Sequence, residues 1–313
     1  MSHRVVVAIG GNSLIPDAEH KTVADQYEAA GKTTAHIAPL IDEGWEVVIV
    51  HGNGPQVGFI VRRSELAAHE LHEVPLLYCG ADTQGAIGFV LQQNLQNDLR
   101  RLGLDRRVVT IVTQVEVAAD DPAFQNPTKP IGSFMDAEKA AQRKEEGWHV
   151  MEDAGRGWRR VVPSPQPLRI VEEETIVALL ESGAVVIGVG GGGIPVICLP
   201  NGDLRGVDAV IDKDRAASLL ARDVKADLFL ISTGVERVAL DWGTADERLI
   251  DEMTAAEARA RLDEGRHFAV GSMKPKIEAA LAYLNAGGKE VIITDPAHIP
   301  AAIDRRAGTR IVP

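Results

Sequence analysis

The sequence predicts a three-layer αβα sandwich, in which helices cover both faces of an open, mainly parallel β-sheet. Continuously apolar runs, which are typical of strands buried on both faces, occur at residues 4–9, 46–50, 108–112, 184–189, 227–231 and 290–293. Segments of helical periodicity lie between these runs, and three of the runs end in glycine-rich turns. Strand and helix patterns that alternate in this way are typical of α/β proteins.

The first run is interpreted as a buried strand rather than as part of a signal peptide. Its five consecutive apolar residues, 5–9, are fewer than the roughly 7–15 that form the core of a signal peptide. The longest apolar stretch, 184–200, is interrupted by glycines and prolines, whereas a transmembrane helix needs about 20 predominantly apolar residues. We therefore expect no membrane association and a cytoplasmic location.

The composition bounds the class of protein. The chain has 313 residues, which suggests about two domains. Its 33 basic and 45 acidic residues give a formal net charge of −12, whereas a dedicated nucleic-acid-binding protein needs a basic face. The two cysteines, Cys79 and Cys198, are too few for a disulfide framework or a zinc cluster. The composition therefore indicates a globular protein of a reducing compartment, with no nucleic acid among its partners.

Two amphipathic helices are predicted in the C-terminal third of the chain, at residues 214–224 and 276–285. The apolar residues that share one helical face are 216, 219, 220 and 224 in the first segment and 277, 280, 281 and 284 in the second. A glycine pair, Gly287 and Gly288, supplies a stop after the second segment.

Residues 118–167 break the alternation of strands and helices. This segment contains six prolines and four of the chain's thirteen aromatic residues, which is enough for a small core of its own. Its last six residues, 162–167, form a proline-rich extended connector. We expect an inserted subdomain, the alternative being a long surface loop.

The three glycine-rich turns lie at residues 10–12, 51–55 and 190–193. In doubly wound sheets the ligand binds outside the carboxyl ends of the strands, where glycines let backbone N–H groups approach an anion. Pro55 suits the first turn of a helix, whose N-terminus would add partial positive charge. Three such turns at one sheet edge predict an anion-binding crevice.

Two segments imitate nucleotide-binding motifs without the context that those motifs need. Residues 30–33 resemble the end of a P-loop, but Gln26 stands where its first glycine is required and the segment lies in a helical pattern. Residues 188–193 match the dinucleotide spacing GxGxxG, but β-rich residues follow at 194–197 where a helix should begin. A nicotinamide-dependent oxidoreductase therefore remains the alternative from another class.

Phosphate groups in such a crevice require cations, and three lysines stand in unusual settings. Lys129 lies between two prolines, Lys213 between two aspartates, and Lys276 at the start of the second predicted helix. These lysines and the glycine turns belong to a series of motifs spread over the whole chain: AIGGN (8–12), HGNGPQVG (51–58), NPTKPIG (126–132), EDAGRGWR (152–159), GGGGIP (190–195), VDAVIDKD (207–214) and GSMKPKIE (271–278).

In these motifs the chain resembles the carbamate kinases, a branch of the amino acid kinase family. The resemblance implies reversible phosphoryl transfer between ATP and carbamate, giving ADP and carbamoyl phosphate, with Mg²⁺ carried by the nucleotide and none held by the protein alone. It also implies a sheet of the amino acid kinase type, a homodimer, and a role in making ATP during arginine catabolism. Residues 1–205 would bind carbamate or carbamoyl phosphate, with 118–167 as an inserted lid, and residues 206–313 would bind ATP or ADP.

The resemblance also implies roles for individual residues. The catalytic set would be Lys129, Lys213 and Lys276, which stabilise the transferring phosphoryl group, and Asp214, which organises the lysines. The turns that cradle the substrate would contribute Gly10, Gly11, Asn12, Gly52, Asn53 and Gly54. The nucleotide pocket would be lined by Thr233, Gly234, Val235, Met273 and Lys276.

The chain departs from many amino acid kinases beside the first glycine pair. Where those relatives carry a lysine, this chain has Ala8 and Ile9. Lys129, from the inserted segment, is the expected replacement, so we predict that the segment is a lid that moves on binding. Another small-acid kinase of the same fold is the second hypothesis. A nucleotide sensor without turnover is disfavoured because all three lysines and Asp214 are present.

Overall fold

The computed structural model describes residues 3–11, 14–15, 19–20, 22–152, 157–269 and 271–313, with Ser133 described by its backbone alone. Within these residues the helices are α1 (Val23–Asp42), α2 (Gln56–Ala67), α3 (Leu76–Arg101), α4 (Ala137–Glu145), α5 (Glu173–Glu181), α6 (Lys213–Asp223), α7 (Ala255–Asp263), α8 (Met273–Asn285) and α9 (Ile299–Ile303).

The strands are β1 (Arg4–Ile9), β2 (Glu46–His51), β3 (Val108–Thr110), β4 (Gln114–Val117), β5 (Lys129–Met135), β6 (Val150–Glu152), β7 (Trp158–Val162), β8 (Pro167–Ile170), β9 (Val185–Ile187), β10 (Ile194–Cys198), β11 (Leu204–Gly206), β12 (Leu228–Ser232), β13 (Val238–Leu240), β14 (Arg248–Ile250), β15 (Glu252–Thr254), β16 (Val291–Thr294) and β17 (Thr309–Val312).

The central sheet has eight strands in the order β15-β17-β16-β12-β1-β2-β9-β3. The neighbouring strands from β16 to β3 pair in parallel, and β17 pairs antiparallel with β16 while β15 runs parallel to β17. All six predicted apolar runs are strands of this sheet. The predicted α/β class with a mainly parallel sheet is therefore confirmed.

Helices cover both faces of the sheet, and the strands are buried between them. In β1 the side chains of Val5, Val7 and Ile9 belong to the core formed with α1, α3 and α9. Val6 and Ala8 belong to the opposite core, formed with α5, α6, α7 and α8. Since successive residues of a strand point to opposite faces, a strand buried in this way is apolar at every position.

Both predicted C-terminal helices are present as α6 and α8. The sequence that imitates a P-loop lies inside α1, which begins at a capping box formed by Thr22 and Asp25. The glycines at 188–193 lead into β10 and not into a helix, so they lack the context of a dinucleotide fingerprint. In the part of the chain that the structure describes, no helix combines the length and the apolar character needed to cross a membrane.

The inserted segment folds as an antiparallel sheet, β5-β7-β6, with α4 packed beside it. Its buried side chains include Ile131, Ala140 and Val161. β4 leads into the segment and β8 leads out of it; these two strands pair with each other in a second sheet of order β11-β10-β4-β8. The base of the segment packs on α2, where a Cβ atom on Gly58 would lie 2.7 Å from Cα of Gly132. The inserted subdomain is therefore confirmed as a small sheet with its own helix.

Candidate active site

The glycine turns meet at one edge of the central sheet, where the neighbouring parallel strands β12, β1, β2 and β9 end. A Cβ atom on Gly11 would lie 2.7 Å from the carbonyl oxygen of Gly54, and one on Gly191 would lie 2.5 Å from Nδ2 of Asn53. Side chains at these glycines would separate the three turns. The turns therefore form one surface at which backbone N–H groups can face an anion.

A buried amide on α3 fixes the third glycine turn. Nε2 of Gln84 donates to the carbonyl oxygens of Thr113 and Gly190, each at 3.0 Å, and Oε1 accepts from the Thr113 N–H at 2.8 Å. Val189, which precedes the turn, is buried at φ +53°, a region that β-branched residues rarely adopt. Its N–H donates to the Thr113 hydroxyl at 3.0 Å. Gln84 thus ties the ends of β3 and β9 to α3.

Asp214 is the centre of a buried charge cluster. Its carboxylate accepts from Nζ of Lys213 at 2.5 Å and from Nζ of Lys276 at 2.9 Å. The Asp214 side chain is 5% exposed, and the two lysine side chains are 13% and 12% exposed. The stem of Lys213 packs over the second glycine turn, where a Cβ atom on Gly52 would lie 3.3 Å from Cδ of the lysine. Helices α6 and α8 therefore bring two ammonium groups to the glycine turns.

Asp212 brings the third lysine into the same cluster. One of its carboxylate oxygens caps α6 by accepting from the N–H groups of Asp214 at 2.9 Å and Arg215 at 3.3 Å. The other oxygen accepts from Nζ of Lys129 at 2.7 Å. Since Lys129 is the first residue of β5, this ion pair joins the inserted subdomain to the start of α6.

The carboxylates of the cluster are held in their charged form. Burial acts to raise the pKa of Asp214, but the ammonium groups of Lys213 and Lys276 outweigh it and hold that pKa well below its ordinary value. Burial likewise opposes the effect of Lys129 on Asp212, whose pKa is also lowered. Burial lowers the pKa of Lys213, against the opposite effect of Asp214. Three lysines against two carboxylates leave an excess of one positive charge if all five are ionised.

His51, which ends β2, is not arranged as a general base. It is fully buried, and burial lowers its pKa to about 4. Its Nδ1 lies 2.9 Å from the carbonyl oxygen of Gly52, and because that oxygen can only accept, Nδ1 carries the proton. The imidazole therefore stays neutral and fixes the second glycine turn.

The cluster and the turns line one cleft of about 380 Å³. Of the residues predicted from the sequence, those that line it are Gly10, Gly11, Gly52, Asn53, Gly54, Lys129, Lys213, Asp214, Thr233, Gly234 and Lys276. Val235 and Met273 are not among the described residues that line this cleft. Met273 packs instead against the hydrophobic core beneath α8. It is the first residue of α8, so it has no preceding helical turn from which its buried face could be predicted. Asn12 lies outside the described residues.

Four residues that lie at or behind this cleft were not predicted from the sequence as site residues: Gln84, Arg159, Asp212 and Ser272. Asp212 had a usable signal, because it directly precedes a predicted helix and aspartate is a preferred N-cap residue. Gln84 had a weaker one, since it lies three, seven and eleven residues before Ile87, Leu91 and Leu95, which are buried on the same helix.

Comparison with known proteins gives one consistent family. The model of the amino acid kinase family matches residues 3–295. The carbamate kinase-like protein YahI of Escherichia coli is 48% identical over 100% of this chain and 99% of its own length. The carbamate kinase of Pyrococcus furiosus is 46% identical over the full length of both chains. The structure of Giardia lamblia carbamate kinase bound to AMP-PNP is 40% identical, with a TM-score of 0.91 over 99% of this chain and 98% of that one.

Proposed function

Because the chain belongs to the amino acid kinase family, we propose that it is a carbamate kinase, which transfers a phosphoryl group reversibly between ATP and carbamate. The products of the forward reaction are ADP and carbamoyl phosphate. The observation that carries the proposal is the charge cluster, in which Lys129 reaches from the inserted subdomain to Asp212 at the start of α6. The full-length similarity to carbamate kinases supports the choice of acceptor.

The three lysines supply the positive charge that phosphoryl transfer requires. In the transition state charge spreads over the equatorial oxygens of the transferring group, so catalysis rests on positioning and on charge stabilisation. Lys213 and Lys276 are held in place by Asp214 and keep N–H donors for those oxygens. Carbamate attacks as an anion, so no side chain needs to remove a proton. In agreement with this, burial lowers the pKa of His51 to about 4, which makes its imidazole a weak base.

Lys129 replaces the cation that the first glycine turn lacks. Its ammonium group is paired with Asp212 and its side chain is 27% exposed, so it can exchange this partner for a phosphoryl oxygen. Since Asp212 caps α6 through its other oxygen, α6 stays capped during the exchange. Lys129 thus links binding in the cleft to the position of the inserted subdomain.

We assign the nucleotide to the C-terminal part, residues 206–313, and the small acid to residues 1–205. Thr233 and Gly234 line the cleft beside β12, and Ser272 precedes α8 without capping it through its side chain. Lys276, in the first turn of α8, lines the same cleft and is the group of this helix that we assign to the phosphate oxygens. Val235 and Met273 stay as predicted contacts of the nucleotide.

Mg²⁺ enters with the nucleotide in this proposal and neutralises phosphate charge there. Among the described residues no group of three or more histidine, cysteine or acidic side chains is arranged to hold a metal ion. Asp212 and Asp214, the carboxylates of the cluster, are both occupied by lysines. The lysines and the nucleotide-borne ion would both neutralise charge on the transferring phosphates.

We also propose that the chain is a cytoplasmic homodimer that makes ATP during arginine catabolism. α3 exposes two large aromatic side chains, Tyr78 at 58% and Phe89 at 57%. Phe89 borders a largely apolar recess to which α1 and α2 contribute Val23 and Phe59. Exposed apolar surface of this kind marks a protein interface. The test is the molar mass in solution. The wild type should have the mass of a dimer, and Phe89→Asp should have the mass of a monomer.

The assay for the reaction is ATP formation from ADP and Mg²⁺ with a choice of phosphoryl donor. We expect ATP with carbamoyl phosphate and little with acetyl phosphate or N-acetylglutamyl phosphate. ATP formed only with one of the other donors would show that carbamate is not the acceptor, and would still agree with membership of the amino acid kinase family. No ATP from any donor, in protein that binds ADP, would contradict the reaction itself.

A further inference from the structure

A second cavity lies between α2 and the inserted subdomain, next to the contact between Gly58 and Gly132 that also borders the catalytic cleft. Its volume is about 230 Å³. Side chains from α2, β5, α4 and β7 line it, together with Trp148 from the loop after α4. Its walls therefore come from both the main body and the subdomain.

Positive charge dominates this cavity, although the whole chain is acidic. Among the described residues, four cationic side chains line it and one carboxylate does, Glu65 of α2. The cations are Arg62 of α2, Lys139 and Arg143 of α4, and Arg160 of β7. In a chain of net charge −12, such an excess in one concave site indicates an anionic ligand.

The single carboxylate is already engaged by two of these cations. Glu65 lies 3.1 Å from Nη1 of Arg62 and 3.8 Å from Nη2 of Arg143. Arg143 makes a further ion pair with Glu146 at 2.6 Å. Among the residues that the structure describes, the negative charge therefore accounts for Arg62 and Arg143, and no carboxylate pairs with Arg160 or Lys139.

Arg160 is held in place against an aromatic ring, and its guanidinium donors have no partner among the described residues. Its guanidinium carbon lies 4.6 Å from the centre of the Trp148 ring, and that of Arg143 lies 4.4 Å from the same ring. Arg160 is half-buried, yet among the described residues no carboxylate lies within ion-pair distance and no acceptor bonds to its guanidinium. A guanidinium has five N–H donors in a planar fork that suits carboxylate and phosphate groups.

We propose that this cavity binds a small oxyanion with two negative charges, an inorganic phosphate or a short dicarboxylate. Arg160 is the main group that binds the anion. Lys139 and Arg143 contact the anion from the subdomain, and Arg62 contacts it from α2. The volume of about 230 Å³ corresponds to about eight water molecules at roughly 30 Å³ each, which fits such an anion and lies below the roughly 300–1,000 Å³ of typical ligand pockets.

Binding there would join the subdomain to the body of the protein. Arg62 belongs to α2, whereas the other three cations belong to the subdomain that carries Lys129. An anion shared between them would oppose their mutual repulsion and hold the two parts together. This consequence for catalysis rests on the proposed function of Lys129, but the binding itself does not.

Calorimetric titration with inorganic phosphate and, separately, with succinate tests the proposal, with saturating AMP-PNP present so that the lysines of the catalytic cleft are already occupied. The proteins are the full-length wild type, Arg160→Gln, and Arg100→Gln as a control at an exposed position of α3. We expect a phosphate or succinate site in the wild type and the control, with affinity about tenfold lower in Arg160→Gln. Affinity for AMP-PNP should be equal in all three proteins, because Arg160 does not line the catalytic cleft.

The outcomes separate the ligand and the site. Binding of both anions would show a site for dianions in general. Binding of one alone would show whether the site takes phosphate or dicarboxylates. Equal affinity for these anions in the wild type and in Arg160→Gln would overturn the proposal, as would no binding of either up to about 10 mM. If Arg160→Gln loses AMP-PNP binding or its far-ultraviolet dichroism, Lys139→Ala replaces it, since that side chain is exposed at the start of α4. It should weaken anion binding severalfold, and unchanged affinity would again overturn the proposal.

Discussion

Asp214 holds two of the three lysines, so the charge balance of the cleft depends on this one carboxylate. Replacing Asp214 by Asn would leave Lys213 and Lys276 buried without a counter-ion. Breaking a buried pair in this way costs about 3–5 kcal/mol of folding free energy, because the remaining charges lose their partner. We therefore expect the free energy of unfolding of Asp214→Asn to fall by about 3 kcal/mol at neutral pH, measured by urea denaturation. Asp263→Asn, at an exposed position, is the control, and an equally small change in both variants would contradict this account.

His51 gives a second prediction at the scale of a residue, because its pKa is lowered by burial to about 4 from an ordinary value of 6.5. Between pH 6.5 and pH 4 the unfolded chain binds a proton at His51 that the folded chain does not. Its contribution to stability is therefore complete above pH 6.5 and falls by about 1.4 kcal/mol per unit as pH drops through that window. The free energy of unfolding should show this extra slope in the wild type relative to His51→Asn. Parallel pH profiles in the two proteins would contradict it.

Single residues were predictable from the sequence where their chemistry was local. Lys213 was identified because aspartates flank it in the sequence. In the structure only one of them, Asp214, forms an ion pair with Lys213, whereas Asp212 pairs with Lys129. That second pair joins residues 83 positions apart, so no local pattern could indicate it. The hydrogen bond between Gln84 and Gly190, 106 positions apart, was hidden for the same reason.

At the scale of an element, α3 positions the glycine turns through Gln84. Gln84→Met keeps the shape of the side chain but removes its three hydrogen bonds to Thr113 and Gly190. Each buried backbone group left without a partner costs about 1–3 kcal/mol, so the turn at 190–193 should shift away from Asn53. We expect KM for carbamoyl phosphate to rise severalfold in Gln84→Met. Gln93→Met, at an exposed position of the same helix, should leave KM unchanged, and equal values in both variants would exclude this role for Gln84.

Strands of the central sheet were predicted to within two residues, because a parallel strand buried on both faces is apolar throughout. Residues 4–9 are β1, and residues 46–50 and 290–293 lie in β2 and β16 to within one residue. The order of the strands was not predictable, because it depends on how each crossover packs and not on any strand's own sequence. The edge strand β15 and its neighbour β17 were missed, because a charged residue interrupts the short apolar pattern of each, Glu252 in β15 and Arg310 in β17.

At the scale of the whole molecule, the inserted subdomain reaches the cleft through Lys129 and rests on α2 through the contact of Gly58 with Gly132. If Lys129 exchanges Asp212 for a phosphoryl oxygen, the subdomain moves and its backbone becomes more protected. We expect slower hydrogen–deuterium exchange in residues 118–167 when ADP and carbamoyl phosphate are bound together. Comparable exchange with and without these ligands would rule out the lid.

The proposed phosphoryl transfer depends most on Lys129, and the most direct measurement is ATP formation from ADP, Mg²⁺ and carbamoyl phosphate in the wild type and in two variants. In Lys129→Ala we predict that kcat falls about 10²–10³-fold, with a smaller rise in KM, since the lysine acts on charge that develops in the transition state. Lys144→Ala, at an exposed position of the same subdomain, should match the wild type. A change confined to KM, or full activity in Lys129→Ala, would contradict the role of Lys129 in the transfer.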